Sequence, residues 1–204
     1  MLFLSAISPQ ALGLLKEIQE TKFLEDFYLV GGTALALHYG HRVSVDLDFF
    51  TGKEFNAASF LEELKDKYSF VILSQAINSL TLNLNDVKAD FIRHNYPLLK
   101  PVQNLDGIRI AAVEDIAAMK FNSMMNRGSK KDFFDIFELL NHFSLKDLLV
   151  FHAKKYNFSS QMTVLKSLVY FADAENEPDP VSIKSENWNT VKQKIQSIVG
   201  GFVD

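Results

Sequence analysis

Two glycines and a set of acids carry the chemistry this chain can do. Gly31-Gly32 is followed, after thirteen intervening residues, by Asp46-Leu47-Asp48. Residues i and i+2 of a strand project to one face, so Asp46 and Asp48 are expected to point together while Leu47 turns into the core. Two carboxylates inside an apolar run are costly unless a cation neutralises them. Mg2+ takes hard oxygen ligands and commonly shares them with substrate phosphates. A glycine turn opening a helix presents unpaired backbone N–H groups to an anion, with Thr33 beside them. The expectation is a divalent metal, Mg2+ or Mn2+, held next to a phosphate-bearing ligand.

Further residues extend the site. Asp90, in Val87-Lys88-Ala89-Asp90-Phe91-Ile92, lies on a later strand and can join Asp46 and Asp48 if the two strands are neighbours. Three carboxylates can hold two metals about 3.5–4 Å apart. Lys120, Arg127, Lys131, Asp132 and Asp135 form a third group. Lys120 and Arg127, seven apart, share a face if their helix runs unbroken, as do Asp132 and Asp135, three apart. Gly128-Ser129 is expected to break the helix, with Ser129 capping the next one. A Lys and Arg pair opposite the acids suits phosphate neutralisation. Arg42 and Ser44 flank the acidic strand, and the Ser44 hydroxyl can meet a phosphate or a metal-bound water.

Simpler readings stand beside these. Asp90 can pair with Lys88 or Arg93, and Lys120 can snorkel from a packed helix. Arg127, Lys131, Asp132 and Asp135 can be ordinary helix-surface ion pairs. The five histidines are scattered and show no metal-ligand spacing, and Met119, Met124 and Met125 read as core.

The elements that must position these residues follow from periodicity. Ser8-Pro9 starts a helix through Ile18. Phe27–Val30 reads as a strand, Thr33–Tyr39 as a helix ended by Gly40, and Val43–Phe50 as the acidic strand. Ala57–Tyr68 has helical spacing, and Phe70–Ser74, Ser79–Leu84 and Val87–His94 read as strands, with a hairpin turn at Asn85-Asp86. A loop with Pro97 and Pro101 precedes a short strand at Ile108–Ala111. From Val113 the pattern is helical, with candidates at Glu114–Asn126, Lys130–His142, Leu145–Tyr156, Gln161–Ala174 and Trp188–Val199. The chain thus divides into a mixed α/β part, 1–112, and a helical part, 113–204, with the site in the cleft between them.

Composition narrows the class. The 204 residues are 48% hydrophobic, enough for a sizeable core, with 18 Phe and one Trp. The absence of cysteine excludes a disulfide framework and fits a reducing, cytoplasmic setting. No apolar run nears ~20 residues, so no membrane span is expected, and the N-terminus has no basic region of a signal peptide. A net charge of −4 speaks against nonspecific nucleic-acid binding by bulk charge, though not against a local basic patch.

The glycine pair, the Asp-x-Asp and a third acid on a later strand resemble the nucleotidyltransferase superfamily that includes DNA polymerase β. More narrowly, Gly31–Leu35 (GGTAL), Arg42-x-Ser44-x-Asp46-x-Asp48 and Lys120…Arg127…Lys131-Asp132-x-x-Asp135 resemble the AbiEii/AbiGii-type toxin family. The likeness covers roughly residues 25–140. It implies an α+β fold: a polymerase β-like mixed sheet with flanking helices, followed by a C-terminal helical bundle. It implies transfer of a nucleoside monophosphate from an NTP, with magnesium and release of pyrophosphate. Asp46 and Asp48 would be metal ligands, and Lys120 with Asp132 or Asp135 would lie near the nucleotide. The acceptor would be RNA, tRNA for some members, and a cognate antitoxin a partner, in toxin–antitoxin or phage-defence systems. Two alternatives stay open: a protein or small-molecule acceptor, or a domain that binds nucleotide without turnover.

Overall fold

In the computed structural model, which describes residues 1–157 and 160–203, helices pack around a seven-stranded mixed sheet of order β3-β4-β5-β2-β1-β7-β6. The strands are β1 (Tyr28–Val30), β2 (Leu47–Thr51), β3 (Phe70–Ala76), β4 (Ser79–Leu84), β5 (Val87–Arg93), β6 (Gln103–Leu105) and β7 (Ile108–Ile110). The helices are α1 (Pro9–Glu20), α2 (Gly31–Tyr39), α3 (Ala57–Leu64), α4 (Val113–Asn126), α5 (Lys130–Leu139), α6 (Leu145–Lys155), α7 (Gln161–Leu168) and α8 (Trp188–Val203). Among the described residues, no helix is long and apolar enough to cross a membrane.

Local chemistry explains these elements. Ser8 caps α1, accepting from the Ala11 N–H, and Pro9 fills the first turn, where no N–H partner is needed. Strand β2 alternates buried and half-buried residues: Leu47, Phe49 and Thr51 face the core, while Asp48 and Phe50 face the other way. Phe49 stacks on Phe91 at 5.2 Å, and Phe91 meets Phe27 edge-on at 5.5 Å. Each such buried ring stabilises the sheet by about 1.5–3 kcal/mol. Asn85 and Asp86 both adopt positive φ, 48° and 63°, the backbone of a tight hairpin turn joining β4 to β5. Helix α2 buries Thr33 through Leu37 without a break and therefore sits inside the molecule.

Two registers place the acids. Strand β2 runs antiparallel to β1, with Val30 opposite Asp48. It runs parallel to β5, with Asp48 opposite Asp90. The strand carrying Asp90 is thus the direct neighbour of the strand carrying Asp48.

The structure corrects several sequence expectations. The acidic strand begins at Leu47, not Val43, because residues 41–44 find other backbone partners. Val43 N–H donates to Val181 O, Ile183 N–H to His41 O, and Ser44 N–H to Ala6 O. The helix expected to reach Ala174 ends at Leu168, and the following segment turns back to meet Lys130 at the start of α5. There the Lys130 ammonium binds the carbonyls of Glu175 and Glu177 and the Asp179 carboxylate. Strand β6 lies in what reads as loop. The boundary expected near residue 112 falls between β7 and α4, and one cluster of buried apolar residues continues across it, from Leu15 and Phe49 to Phe133 and Ile195.

Candidate active site

The glycine pair is dictated by close approach as well as by the turn. Gly31 has φ +71°, and a Cβ built on it would stand 2.1 Å from Asp48 Oδ2. A Cβ on Gly32 would stand 2.3 Å from Arg42 Nη2. Helix α2 therefore starts directly against one carboxylate and one guanidinium. Its N-cap, Val30, makes no side-chain capping bond, so the first N–H groups of the helix are left to other acceptors.

Those N–H groups border a cavity of about 260 Å³. Gly31, Gly32, Asp48 and Asp90 line one side, and Lys120, Ser123 and Arg127 of the α4 region line another. Phe50, Ile92, Ile116 and Met119 give it apolar walls. Burial and the neighbouring charges of Asp90 and Asp46 push the Asp48 pKa up, against the pull of Lys120 and Lys88. Asp90 is bound by the Lys88 ammonium at 2.7 Å and by the Thr81 hydroxyl. The simple pairing with Lys88 and the position beside Asp48 therefore hold together.

Behind the cavity lies a buried charge network. Asp135, fully buried, accepts Arg42 Nε at 2.7 Å and Arg42 Nη2 at 2.9 Å, and His41 Nε2 lies 2.7 Å from it. The Lys120 ammonium stands 2.6 Å from Asp135 and 2.9 Å from Asp132. Asp132 also accepts from Arg127 Nε at 3.0 Å and from the Ser129 hydroxyl at 2.7 Å. Burial opposes charge on both acids, yet Lys120 and the arginines hold them below the usual carboxylate range. Burial likewise opposes charge on Lys120, yet Asp135 and Asp132 raise its pKa. These are not helix-surface ion pairs. The network fixes Lys120 and Arg127, whose remaining donors can serve the cavity.

The structure therefore divides the residues singled out from the sequence. Gly31, Gly32, Asp48, Asp90, Lys120 and Arg127 converge on one cavity. Asp132 and Asp135, expected near the nucleotide, lie outside its lining and bind its cations instead. Arg42, Ser44, Asp46 and Lys131 line a neighbouring cavity of about 420 Å³ with the 177–181 segment. There Asp46 lies 3.6 Å from the Lys131 ammonium. The Thr33 hydroxyl is buried between Ser44 Oγ, at 2.8 Å, and the Asp46 carbonyl, so it braces the chain before β2 and is not turned to a ligand. Asp46 precedes the strand, and the rule that places i and i+2 on one face does not reach it.

Sequence reasoning missed the apolar walls and Ser123. The signal was present: Ile116, Met119, Lys120, Ser123 and Arg127 recur at helical spacing, one face of α4. Met119 is buried, as a core reading requires, and also borders the cavity.

A divalent cation such as Mg2+ needs several hard oxygen donors. Among the described residues, no three acids or histidines stand close enough together to hold a metal by themselves, so the expected three-acid, two-metal set is not assembled. Asp48 and Asp90 do fit a hard cation. They are adjacent in register, and burial, with the negative charge of Asp90 beside it, raises the Asp48 pKa. Mg2+ keeps water and draws ligands from phosphates, so two carboxylates meet its needs.

Comparison with known proteins gives the family and the fold. The family model described as "Nucleotidyl transferase AbiEii toxin, Type IV TA system" matches residues 13–98 and 80–199. An uncharacterized protein of Aquifex aeolicus (strain VF5) is 43% identical over 170 residues, spanning 80% of this chain and 82% of that one. MenT4, a nucleotidyltransferase toxin of Mycobacterium tuberculosis H37Rv, shares the fold, with TM-score 0.60 and 14% identity over 96% of this chain and 87% of that one. JHP933 from Helicobacter pylori does so with TM-score 0.56 and 21% identity, over 95% and 92%. A glycine pair against Asp48, an acid in register at Asp90 and a cation-lined cavity are thus set in a shared fold, and the chain belongs to the AbiEii nucleotidyltransferase toxin family.

Proposed function

We propose that this nucleotidyltransferase moves a nucleoside monophosphate from an NTP to the end of an RNA, tRNA being the leading candidate, as the toxin of a toxin–antitoxin or phage-defence pair. The observation that carries the reading is the register pairing of Asp48 with Asp90 at the open N-terminus of α2, facing Lys120. The family description supports the toxin role and, with it, a cognate antitoxin partner.

The residues divide the work as follows. The N–H groups at Gly31 and Gly32 bind phosphate oxygens. Lys120 and Arg127 neutralise the charge that grows on the triphosphate. Phe50, Ile92, Ile116 and Met119 offer apolar surface to the base. Asp48 and Asp90 would hold Mg2+ or Mn2+, which supplies Lewis-acid charge neutralisation at the phosphates. The acceptor hydroxyl oxygen bonds to the α-phosphorus. The bond from that phosphorus to its bridging oxygen breaks, and pyrophosphate leaves with the electron pair. Asp90 takes the hydroxyl proton. Asp132, Asp135 and Arg42 position Lys120 and Arg127 without touching substrate, while Asp46 adds negative charge near Asp48.

Incubation with each labelled NTP, with and without total tRNA, tests the reading. Label on RNA supports it. Label confined to a protein or a small molecule replaces the acceptor. Nucleotide binding with no transfer to any acceptor overturns it.

A further inference from the structure

We infer that the RNA acceptor docks in a second cavity, of about 320 Å³, that shares Arg127 with the nucleotide cavity. The inference rests on the transfer-to-RNA reading above. In it, a single-stranded end lays a phosphodiester on Arg127 and Lys166 and stacks a base on Tyr170.

Three observations carry it. First, Arg127 is tied on one side only. Its Nε and Nη2 bind Asp132 at 3.0 and 3.4 Å, yet its side chain is 59% exposed and lines both cavities, so the Nη1 end of the fork is left to the space between them. A guanidinium fixed in this way is pre-organised to grip a phosphate. Second, Lys166, on α7, lines the same cavity, is exposed and pairs with no carboxylate among the described residues. Third, Tyr170 is 58% exposed, with its hydroxyl 3.5 Å from Asp173. An exposed aromatic ring beside two cations is the usual platform for an unpaired base. Asp173 would repel a phosphate placed against it. At the edge of the ring it suits a ribose hydroxyl or a base amino group, the groups that separate single-stranded RNA from a phosphate groove.

The cavity on the other flank serves a polyanion poorly. It carries Asp46, Glu177 and Asp179, its Lys131 stands 3.6 Å from Asp46, and its Arg42 is already committed to Asp135. A chain of net charge −4 that clusters two cations and an open ring next to the transfer site marks that flank for the acceptor.

The test uses the full chain and two variants of exposed residues, Lys166→Glu and Tyr170→Ala, with Lys16→Ala on α1 as control. Anisotropy of a fluorescein-labelled eight-nucleotide RNA reads binding, and steady-state transfer reads KM for RNA and for NTP separately. Each variant is expected to weaken RNA binding and to raise KM for RNA on the order of tenfold, with KM for NTP within twofold of the parent and the control unchanged. A DNA strand of the same sequence is expected to bind more weakly. Transfer to RNA with unchanged KM in both variants overturns the docking site while the transferase reading survives. Wild-type protein that labels only a protein, or nothing, overturns both.

Discussion

Replacing Gly31 with alanine isolates the contact on which the site depends. The residue has φ +71°, a conformation that costs a non-glycine residue about 1–2 kcal/mol. The new Cβ would stand 2.1 Å from Asp48 Oδ2, 2.9 Å from its Cγ and 3.1 Å from its Cβ. Ordinary contact begins at 3.4 Å, so Oδ2 must move by about 1.3 Å, and turning the carboxylate alone still leaves Cγ about 0.5 Å and Cβ about 0.3 Å too close. Relieving the clash adds about 1–3 kcal/mol, and alanine returns about 0.4–1 kcal/mol by restricting the unfolded chain, which leaves a net loss of about 1–5 kcal/mol. For a domain of this size that lowers Tm by roughly 2–20 °C. A reacting geometry displaced by ~1 Å can cost ~100-fold in rate. Thermal melts and single-turnover transfer from labelled NTP measure the two effects. Gly13→Ala, where a Cβ meets nothing within 4 Å, is the control and is expected to keep full activity. A folded Gly31→Ala protein whose rate stays within threefold of the parent would refute the steric reasoning.

Other perturbations separate structure from chemistry. Asp48→Asn removes a buried carboxylate crowded by Asp90, so transfer should disappear while Tm stays level or rises; a clear fall in Tm would contradict the electrostatic reading. Lys120→Met leaves Asp132 and Asp135 buried without their shared cation and should cost about 3–5 kcal/mol in a denaturant titration, whereas a cost under 1 kcal/mol would mean the network is slack. His94, whose Nε2 lies 3.1 Å from the Tyr156 hydroxyl, has its pKa lowered to about 4 by burial and by Lys155, against Asp115. The unfolded chain binds that proton near pH 6.5 and the folded chain only near 4, so its contribution is full above pH 6.5 and is lost as pH falls between those values. The loss is on the order of 1–2 kcal/mol after allowing for the partial exposure of the ring, and His94→Gln should flatten that part of the stability–pH curve.

What the sequence revealed is what local periodicity encodes. Alternation along Val43–Phe50 put Asp48 on the face opposite Leu47, and the structure agrees over Leu47–Thr51. Asp90 reached Asp48 because hairpins join β3, β4 and β5 and the last of them returns beside β2. Asp46 could not be read this way. Residues 41–44 are held by Ala6, Val181 and Ile183, partners remote in sequence that no local pattern announces. The burial of Asp132 and Asp135 was hidden for the same reason: Arg42 is 93 residues from Asp135. Gly31-Gly32 was visible as a turn, but its steric cause needs the positions of Asp48 and Arg42. The α4 face was readable from helical spacing, but Ile116 and Ser123 on it carry no charge, and such residues line a cavity or fill a core with the same periodicity.

Calorimetric titration of a non-hydrolysable NTP into the full chain, with Mg2+ or with EDTA, is the most direct measurement of whether Asp48 and Asp90 form one metal-dependent nucleotide site. Tight binding that needs Mg2+ and weakens at least tenfold in both Asp48→Asn and Asp90→Asn is the expected result. Equal affinity in the parent and both variants, or affinity indifferent to EDTA, would contradict it.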